Sequence, residues 1–129
     1  MRKTALVVDD SATMREMVSY ALQQAGFDLL TGGNGQEALD KLTGQAVDLI
    51  VTDLHMPVMD GLTFVKAVRA RDEYRFVPIL MLTTESQAEF QAQGRAGGVT
   101  GWLVKPFNPE MLLQVISGIV PRPGDGARP

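Results

Sequence analysis

Five polar side chains with complementary chemistry follow short apolar runs of this sequence. They are three aspartates, one threonine and one lysine: Asp9, Asp10, Asp53, Thr83 and Lys105. Three carboxylates in one crevice repel one another, and without a counter-charge at least one would take up a proton. A hard divalent cation removes this repulsion, and ligation by oxygen alone favours Mg²⁺ or Mn²⁺ over zinc. The lysine and the hydroxyl could then hold phosphoryl oxygens, and an aspartate beside such a metal can accept a phosphoryl group as a nucleophile.

The elements that must position these side chains are strands of a parallel sheet. Continuous apolar runs at 5–8, 49–51 and 79–82 are typical of strands covered on both faces, and 27–30 and 102–104 are weaker candidates. The carboxyl ends of parallel strands meet at one edge of the sheet, where open α/β sheets bind their ligands. We therefore expect the five polar side chains to share one crevice.

Apolar residues at helical spacing fill the intervals between these runs. The first helix carries an apolar stripe from Met14 through Met17 to Ala25 and ends at Gly26. The other four helices have start signals, namely Asn34, Asp60-Gly61, the Ser86–Glu89 capping box and Asn108-Pro109. Strand and helix alternate five times, which predicts an α/β fold, a doubly wound five-stranded parallel sheet between two helical layers.

The fourth helix is the weakest of the five. Gly94, Gly97 and Gly98 fall in its second half, and its only large apolar residue is Phe90. Because an interior glycine costs up to about 1 kcal/mol relative to alanine, we expect this helix to be short or mobile.

Composition excludes several classes of protein. The 129 residues include 15 acidic and 12 basic residues, for a net charge of −3, and no cysteine. Absence of cysteine excludes disulfide scaffolds and thiolate chemistry, and the weakly acidic balance argues against nucleic-acid binding. The longest apolar run, 76–82, is too short to span a membrane. We expect one cytoplasmic, monomeric domain over 1–120 with a disordered tail over 121–129.

Several motifs together resemble the receiver domain of two-component response regulators. They are Asp9-Asp10, TDLHMPVMDG around Asp53, MLTTE around Thr83, and Lys105-Pro106-Phe107. The resemblance extends from residue 3 to about residue 120, and the spacing is most similar to the single-domain chemotaxis regulators. It implies the flavodoxin-like strand order 2-1-3-4-5.

The resemblance also implies a role for each residue of the crevice. Asp53 matches the aspartate that a histidine kinase phosphorylates. Asp10 and Asp53 match carboxylate ligands of Mg²⁺, Asp9 acts largely through a bound water, and the backbone carbonyl of His55 is the main-chain ligand. Lys105 matches the lysine that pairs with phosphoryl oxygens.

Other positions match the residues that transmit or tune the signal. Thr83 matches the hydroxyl that moves to the phosphoryl group, and Trp102 matches an aromatic residue that then turns inward. His55 and Glu85 match two positions that tune the phosphoryl lifetime, by steering water or contacting a phosphatase. The family's peptide bond before the proline, here Pro106, is cis.

The resemblance implies a phospho-accepting signalling protein and not an enzyme. Its expected partners are a chemotaxis histidine kinase and a target such as the flagellar motor switch, which would dock around Phe90, Trp102 and 110–119. A phosphorelay receiver or a chemosensory regulator that does not act on the motor would look similar. A metal-dependent phosphatase with an aspartyl-phosphate is disfavoured by His55, where such enzymes carry a second aspartate. The carboxylates of Asp9 and Asp10 disfavour a flavin carrier. The complete set of site residues disfavours a receiver-like scaffold.

Overall fold

The computed structural model describes residues 3–120. Strands and helices alternate along the chain, with one 3-10 turn at Asp72–Tyr74. The elements are β1 (Lys3–Val8), α1 (Ala12–Gln24), β2 (Phe27–Gly32), α2 (Gly35–Leu42), β3 (Leu49–Thr52), α3 (Gly61–Arg69), β4 (Ile79–Thr83), α4 (Ala88–Gly97), β5 (Gly101–Val104) and α5 (Pro109–Ile119). All five expected strands are therefore present. The expected tail at 121–129 lies outside the described residues.

The five strands form one parallel sheet in the order β2-β1-β3-β4-β5. Successive side chains of a strand point to opposite faces, so each strand supplies two cores. Leu6, Ile50 and Met81 face the layer formed by α2, α3 and α4, whereas Val7 and Leu80 face α1 and α5. The predicted doubly wound α/β fold and its strand order are confirmed.

Three of the four predicted helix starts are confirmed by their capping bonds. The side chains of Asn34, Asp60 and Asn108 accept hydrogen bonds from the backbone amides three residues later, at 2.9, 2.8 and 2.8 Å. The predicted capping box at Ser86 is wrong, because α4 starts after Gln87 and has no side-chain cap. The amide of Gln87 instead donates to the carboxylate of Glu85, which organises the turn in place of Ser86.

Helix α4 has ten residues and is longer than α2 and α3, so it is not short. Two glycines of this segment differ in position: Gly94 is the one buried residue of α4, and Gly98 ends the helix with a φ of 108°. A helix with so little buried apolar surface gains little stability from packing, and its mobility remains a prediction. Among residues 3–120, no helix is both long and apolar enough to cross a membrane.

Candidate functional site

The three aspartates meet at the carboxyl edge of the sheet. Asp9 follows β1 and Asp53 follows β3, and both are buried, with exposed fractions of 4% and 8%. Asp10 is exposed beside them. Carboxylate oxygens of the three residues all lie within 4.8 Å of one another. The three carboxylates expected to meet at the strand ends therefore lie together at this edge.

Backbone contacts hold the two buried aspartates in place. The Asp53 amide donates to the Val8 carbonyl at 2.9 Å, which continues the β1–β3 ladder past the end of the strand. The Asp53 Oδ1 atom accepts the Leu54 amide at 2.7 Å. Gly61 passes so close that a Cβ atom there would lie 2.2 Å from the Asp53 carbonyl oxygen. Only glycine fits this approach, so Gly61 has a steric role in addition to starting α3.

Lys105 joins the two buried carboxylates. Its Nζ atom donates to Asp9 Oδ2 at 2.9 Å and to Asp53 Oδ2 at 3.3 Å, and its side chain is 12% exposed. Burial alone would lower the pKa of Lys105, but the hydrogen bond to Asp9 and the charge of Asp53 together raise it. Burial raises the pKa of Asp9, against the opposing effects of Lys105 and of the Ser11 amide. The site therefore holds a charged ammonium against the Asp9 carboxylate, whose ionisation burial disfavours.

Glu85 connects the remaining predicted residues through four hydrogen bonds. Its amide donates to Thr83 Oγ1 at 3.3 Å, and its carbonyl accepts the indole N–H of Trp102 at 2.9 Å. Its carboxylate lies 3.1 Å from His55 Nε2 and accepts the Gln87 amide at 3.3 Å. Thr83 is fully buried, at 0% exposure. One residue thus ties the β3–α3 loop, β4, the start of α4 and β5 together.

The aromatic residues around Glu85 pack against α4. The ring of His55 meets the ring of Phe90 edge to face, with centroids 6.1 Å apart. The Trp102 indole is partly buried and so close to Gly94 that a Cβ atom there would lie 2.8 Å from Cζ3. The glycine that weakens α4 therefore makes room for the indole.

Two contributions were missed in the sequence analysis. Arg15 donates from Nη1 to the Asp9 backbone carbonyl at 2.6 Å, and the Asp9 Oδ1 atom accepts the Ser11 amide at 2.9 Å. Ser11 also caps α1. A serine before a helix start is a capping signal, which the sequence alone could have shown. Nothing in the sequence marks the Arg15 contact, because it depends on the angle at which α1 leaves the sheet. As the resemblance implied, the Lys105–Pro106 peptide bond is cis.

The donor set suits a hard divalent cation. Three carboxylates within 4.8 Å offer only oxygen ligands, and backbone carbonyls of the adjoining β3–α3 loop can add one more. The side chain of His55, the one histidine in the sequence, bonds to Glu85. This is the chemistry of a magnesium or manganese site and not of a zinc site.

Comparison with known proteins gives a consistent result. The family model described as response regulator receiver domain matches residues 5–117. The chain is 41% identical over 118 residues to chemotaxis protein CheY1 of Helicobacter pylori, covering 88% of this chain and 95% of that protein. It is 40% identical over 117 residues to the CheY homolog of Campylobacter jejuni, covering 89% and 90%.

A solved structure agrees with this assignment. Chemotaxis protein CheY4 of Vibrio cholerae superposes with a TM-score of 0.90 at 50% sequence identity, covering 93% of this chain and all of that one. Fold, acidic crevice and relatives agree, and the chain belongs to the response regulator receiver family as a CheY-like chemotaxis member.

Proposed function

We propose that the protein accepts a phosphoryl group from a histidine kinase on Asp53 and thereby changes its affinity for a target protein. The observation that carries this proposal is the bridge from Lys105 Nζ to Asp9 and Asp53 beside Asp10. A partly buried lysine between two carboxylates at the sheet edge is the arrangement expected of a group that will hold a phosphoryl dianion.

The metal site would be formed by Asp10 and Asp53 as carboxylate ligands, with Asp9 bonded through water and the backbone carbonyl of His55 as a further ligand. A bound Mg²⁺ supplies positive charge for phosphoryl oxygens; Mn²⁺ could take its place. An Asp53 carboxylate oxygen forms a bond to phosphorus while the phosphorus–nitrogen bond of the phosphohistidine breaks, and the imidazole nitrogen keeps the electron pair. Lys105 neutralises part of the charge on the transferred group.

Phosphorylation would be transmitted through the hydrogen bonds of Glu85. When the Thr83 hydroxyl turns toward the phosphoryl oxygens, it leaves the Glu85 amide, and the loop that carries the carbonyl partner of Trp102 is released. The surface around Phe90, Trp102 and 110–119 then changes its packing. His55 and Glu85, which bond to each other from two loops that follow β3 and β4, would set the phosphoryl lifetime and the access of a phosphatase.

The proposed partners are a chemotaxis histidine kinase and the flagellar motor switch. CheY-like relatives at about 40% identity support a chemotaxis pathway. The protein's own chemistry would be limited to catalysing its phosphorylation and dephosphorylation. Binding of a purified motor switch protein, measured with and without beryllofluoride and Mg²⁺, tests the target. Equal affinity in both states would favour a receiver that does not act on the motor.

Labelling with acetyl phosphate and Mg²⁺, followed by mass spectrometry, tests the acceptor site. We expect one phosphoryl group on the wild type, none on Asp53→Asn, and none on the wild type after chelation of the metal. Asp40→Asn, at an exposed position on α2, is the matched control and keeps its label. Equal labelling of Asp53→Asn and the wild type would overturn the proposal.

A further inference from the structure

Val58 has a backbone conformation that does not suit its side chain. Its φ is 70°, and it is the one non-glycine residue between 3 and 120 with positive φ. The Met59 amide donates to the Pro57 carbonyl at 2.7 Å, which makes a three-residue γ-turn around Val58. Glycine adopts a positive φ readily and asparagine tolerates it better than most residues, whereas a β-branched residue is an outlier there.

The residues on either side of Val58 impose this conformation. The Gly61 amide donates to the Leu54 carbonyl at 2.7 Å and closes the base of the loop, and Asp60 is fixed as the cap of α3. Met59 packs on Gly35 of α2, where a Cβ atom would lie 2.9 Å from its sulfur. These contacts on both sides of Val58 hold the loop that carries it.

Packing within the chain does not compensate for the strain. The Val58 residue is 80% exposed, so its methyl groups bury little surface. Strained residues persist mainly at functional sites, where the surrounding structure holds them and another molecule uses them. The loop starts directly after Asp53 and stands at the carboxyl edge, beside the crevice.

We infer that Val58 is an apolar contact for the protein that donates the phosphoryl group. This inference rests on the proposed function. Asp53 is 8% exposed, so a phosphohistidine carried on a protein reaches it only when that protein covers the carboxyl edge. The covering surface must also meet the β3–α3 loop, where Val58 is 80% exposed, and an apolar patch beside the phosphohistidine would bury that side chain. A small phosphodonor needs no such contact.

The experiment compares a protein donor with a small one. The protein donor is an autophosphorylated chemotaxis histidine kinase selected because it phosphorylates the wild-type chain, and the small donor is acetyl phosphate with Mg²⁺. For Val58→Asn we expect kcat/KM with the kinase to fall about tenfold, through a higher KM, because one buried valine contact is lost. Labelling by acetyl phosphate should be unchanged. Because asparagine relieves the strain, the variant should also unfold at a higher temperature than the wild type.

Two further variants make the test specific. Val58→Ile keeps the apolar contact and should keep transfer from the kinase. Phe76→Ala removes an 88% exposed side chain just before β4, at the opposite edge of the sheet, and should change neither rate. Unchanged kinase transfer in Val58→Asn, or an equal loss with both donors, overturns the inference. Failure of acetyl phosphate to label the wild type overturns the proposed function instead.

Discussion

Replacing Lys105 by methionine tests how the site balances its charges. The substitution keeps most of the side-chain volume but removes both charge-assisted hydrogen bonds. The side chains of Lys105, Asp9 and Asp53 are 12%, 5% and 11% exposed, so two nearly buried carboxylates lose their cation. Breaking a buried pair in this way costs about 3–5 kcal/mol. Because the crevice opens at the sheet edge and Asp9 can take up a proton, we expect a loss of about 2–3 kcal/mol.

Urea unfolding measures this loss, with the fluorescence of Trp102 and far-ultraviolet circular dichroism as independent signals. At a slope of about 1.5 kcal/mol per molar, the midpoint should fall by about 1.3–2 M. Mg²⁺ should restore more stability to Lys105→Met than it adds to the wild type, because only the variant lacks a cation among its carboxylates. At about 100 times its dissociation constant the ion contributes about 2.7 kcal/mol, enough to offset the substitution.

The matched control is Lys41→Met. Lys41 donates to the Thr31 carbonyl at 2.6 Å and lies 3.7 Å from Glu37, but its side chain is 44% exposed. An exposed pair of this kind contributes less than about 1 kcal/mol, so its midpoint should move little. The reasoning is refuted if Lys105→Met shifts the midpoint no more than Lys41→Met does, or if Mg²⁺ stabilises the variant and the wild type equally.

Three further predictions concern α4 and the acidic crevice. Gly94→Ala should displace the Trp102 indole, shift its emission and cost about 1–3 kcal/mol by overpacking; unchanged emission would contradict this. Arg69→Met removes two hydrogen bonds to the Gly98 carbonyl, at 2.7 and 3.2 Å. Amide exchange at the end of α4 should therefore accelerate, and unchanged exchange in α5 is the control. Burial raises the pKa of Asp9 above its ordinary value of 3.8. The stability that protonated Asp9 contributes is therefore fully present below pH 3.8 and is lost as pH rises through the raised pKa. Without Mg²⁺, urea midpoints should therefore increasingly favour Asp9→Asn over the wild type as pH rises above 3.8, and a difference that stays constant would count against this prediction.

Much of the fold could be predicted because its signals are local. Continuous apolar runs predicted β1, β3 and β4, since strands buried on both faces have no room for polar residues. Capping side chains such as Asn34 and Asn108 predicted helix starts correctly because a cap bonds to amides only three residues away. Strand order is different: no apolar run encodes its neighbours, and the order 2-1-3-4-5 came from the resemblance alone.

The predictions failed where a competing contact lay outside the local pattern. Ser86 and Glu89 match a capping box, but the Glu85 carboxylate binds the Gln87 amide first and α4 starts one residue later than a Ser86 cap would place it. Met17 belongs to the apolar stripe of α1 yet is 46% exposed, because the neighbouring Val18 occupies the buried line. Both outcomes depend on how the helix sits on the sheet, which helical spacing does not specify.

The site shows the same division between topology and local geometry. A parallel sheet must bring residues that follow its strands to one edge, so the meeting of Asp9, Asp53 and Lys105 could be predicted from order and spacing. The four hydrogen bonds of Glu85 could not, since they join loops whose paths no periodicity describes. The inward turn expected of Trp102 stays a prediction; the structure adds that the indole N–H donates to the Glu85 carbonyl.

The hydrogen bond between Trp102 and Glu85 changes the route by which the proposed phosphorylation signal would reach Trp102. Thr83 and Trp102 both bond to the backbone of Glu85, one to its amide and the other to its carbonyl. Under the proposed function, movement of the threonine hydroxyl would act on Trp102 through this loop and need not work by vacating space. The same loop is held from the other side by His55, which packs on Phe90 of α4. Under the proposed function, Glu85, which lies between β4 and α4, carries the hydrogen bonds that a phosphoryl group would rearrange, and their rearrangement would shift the start of α4.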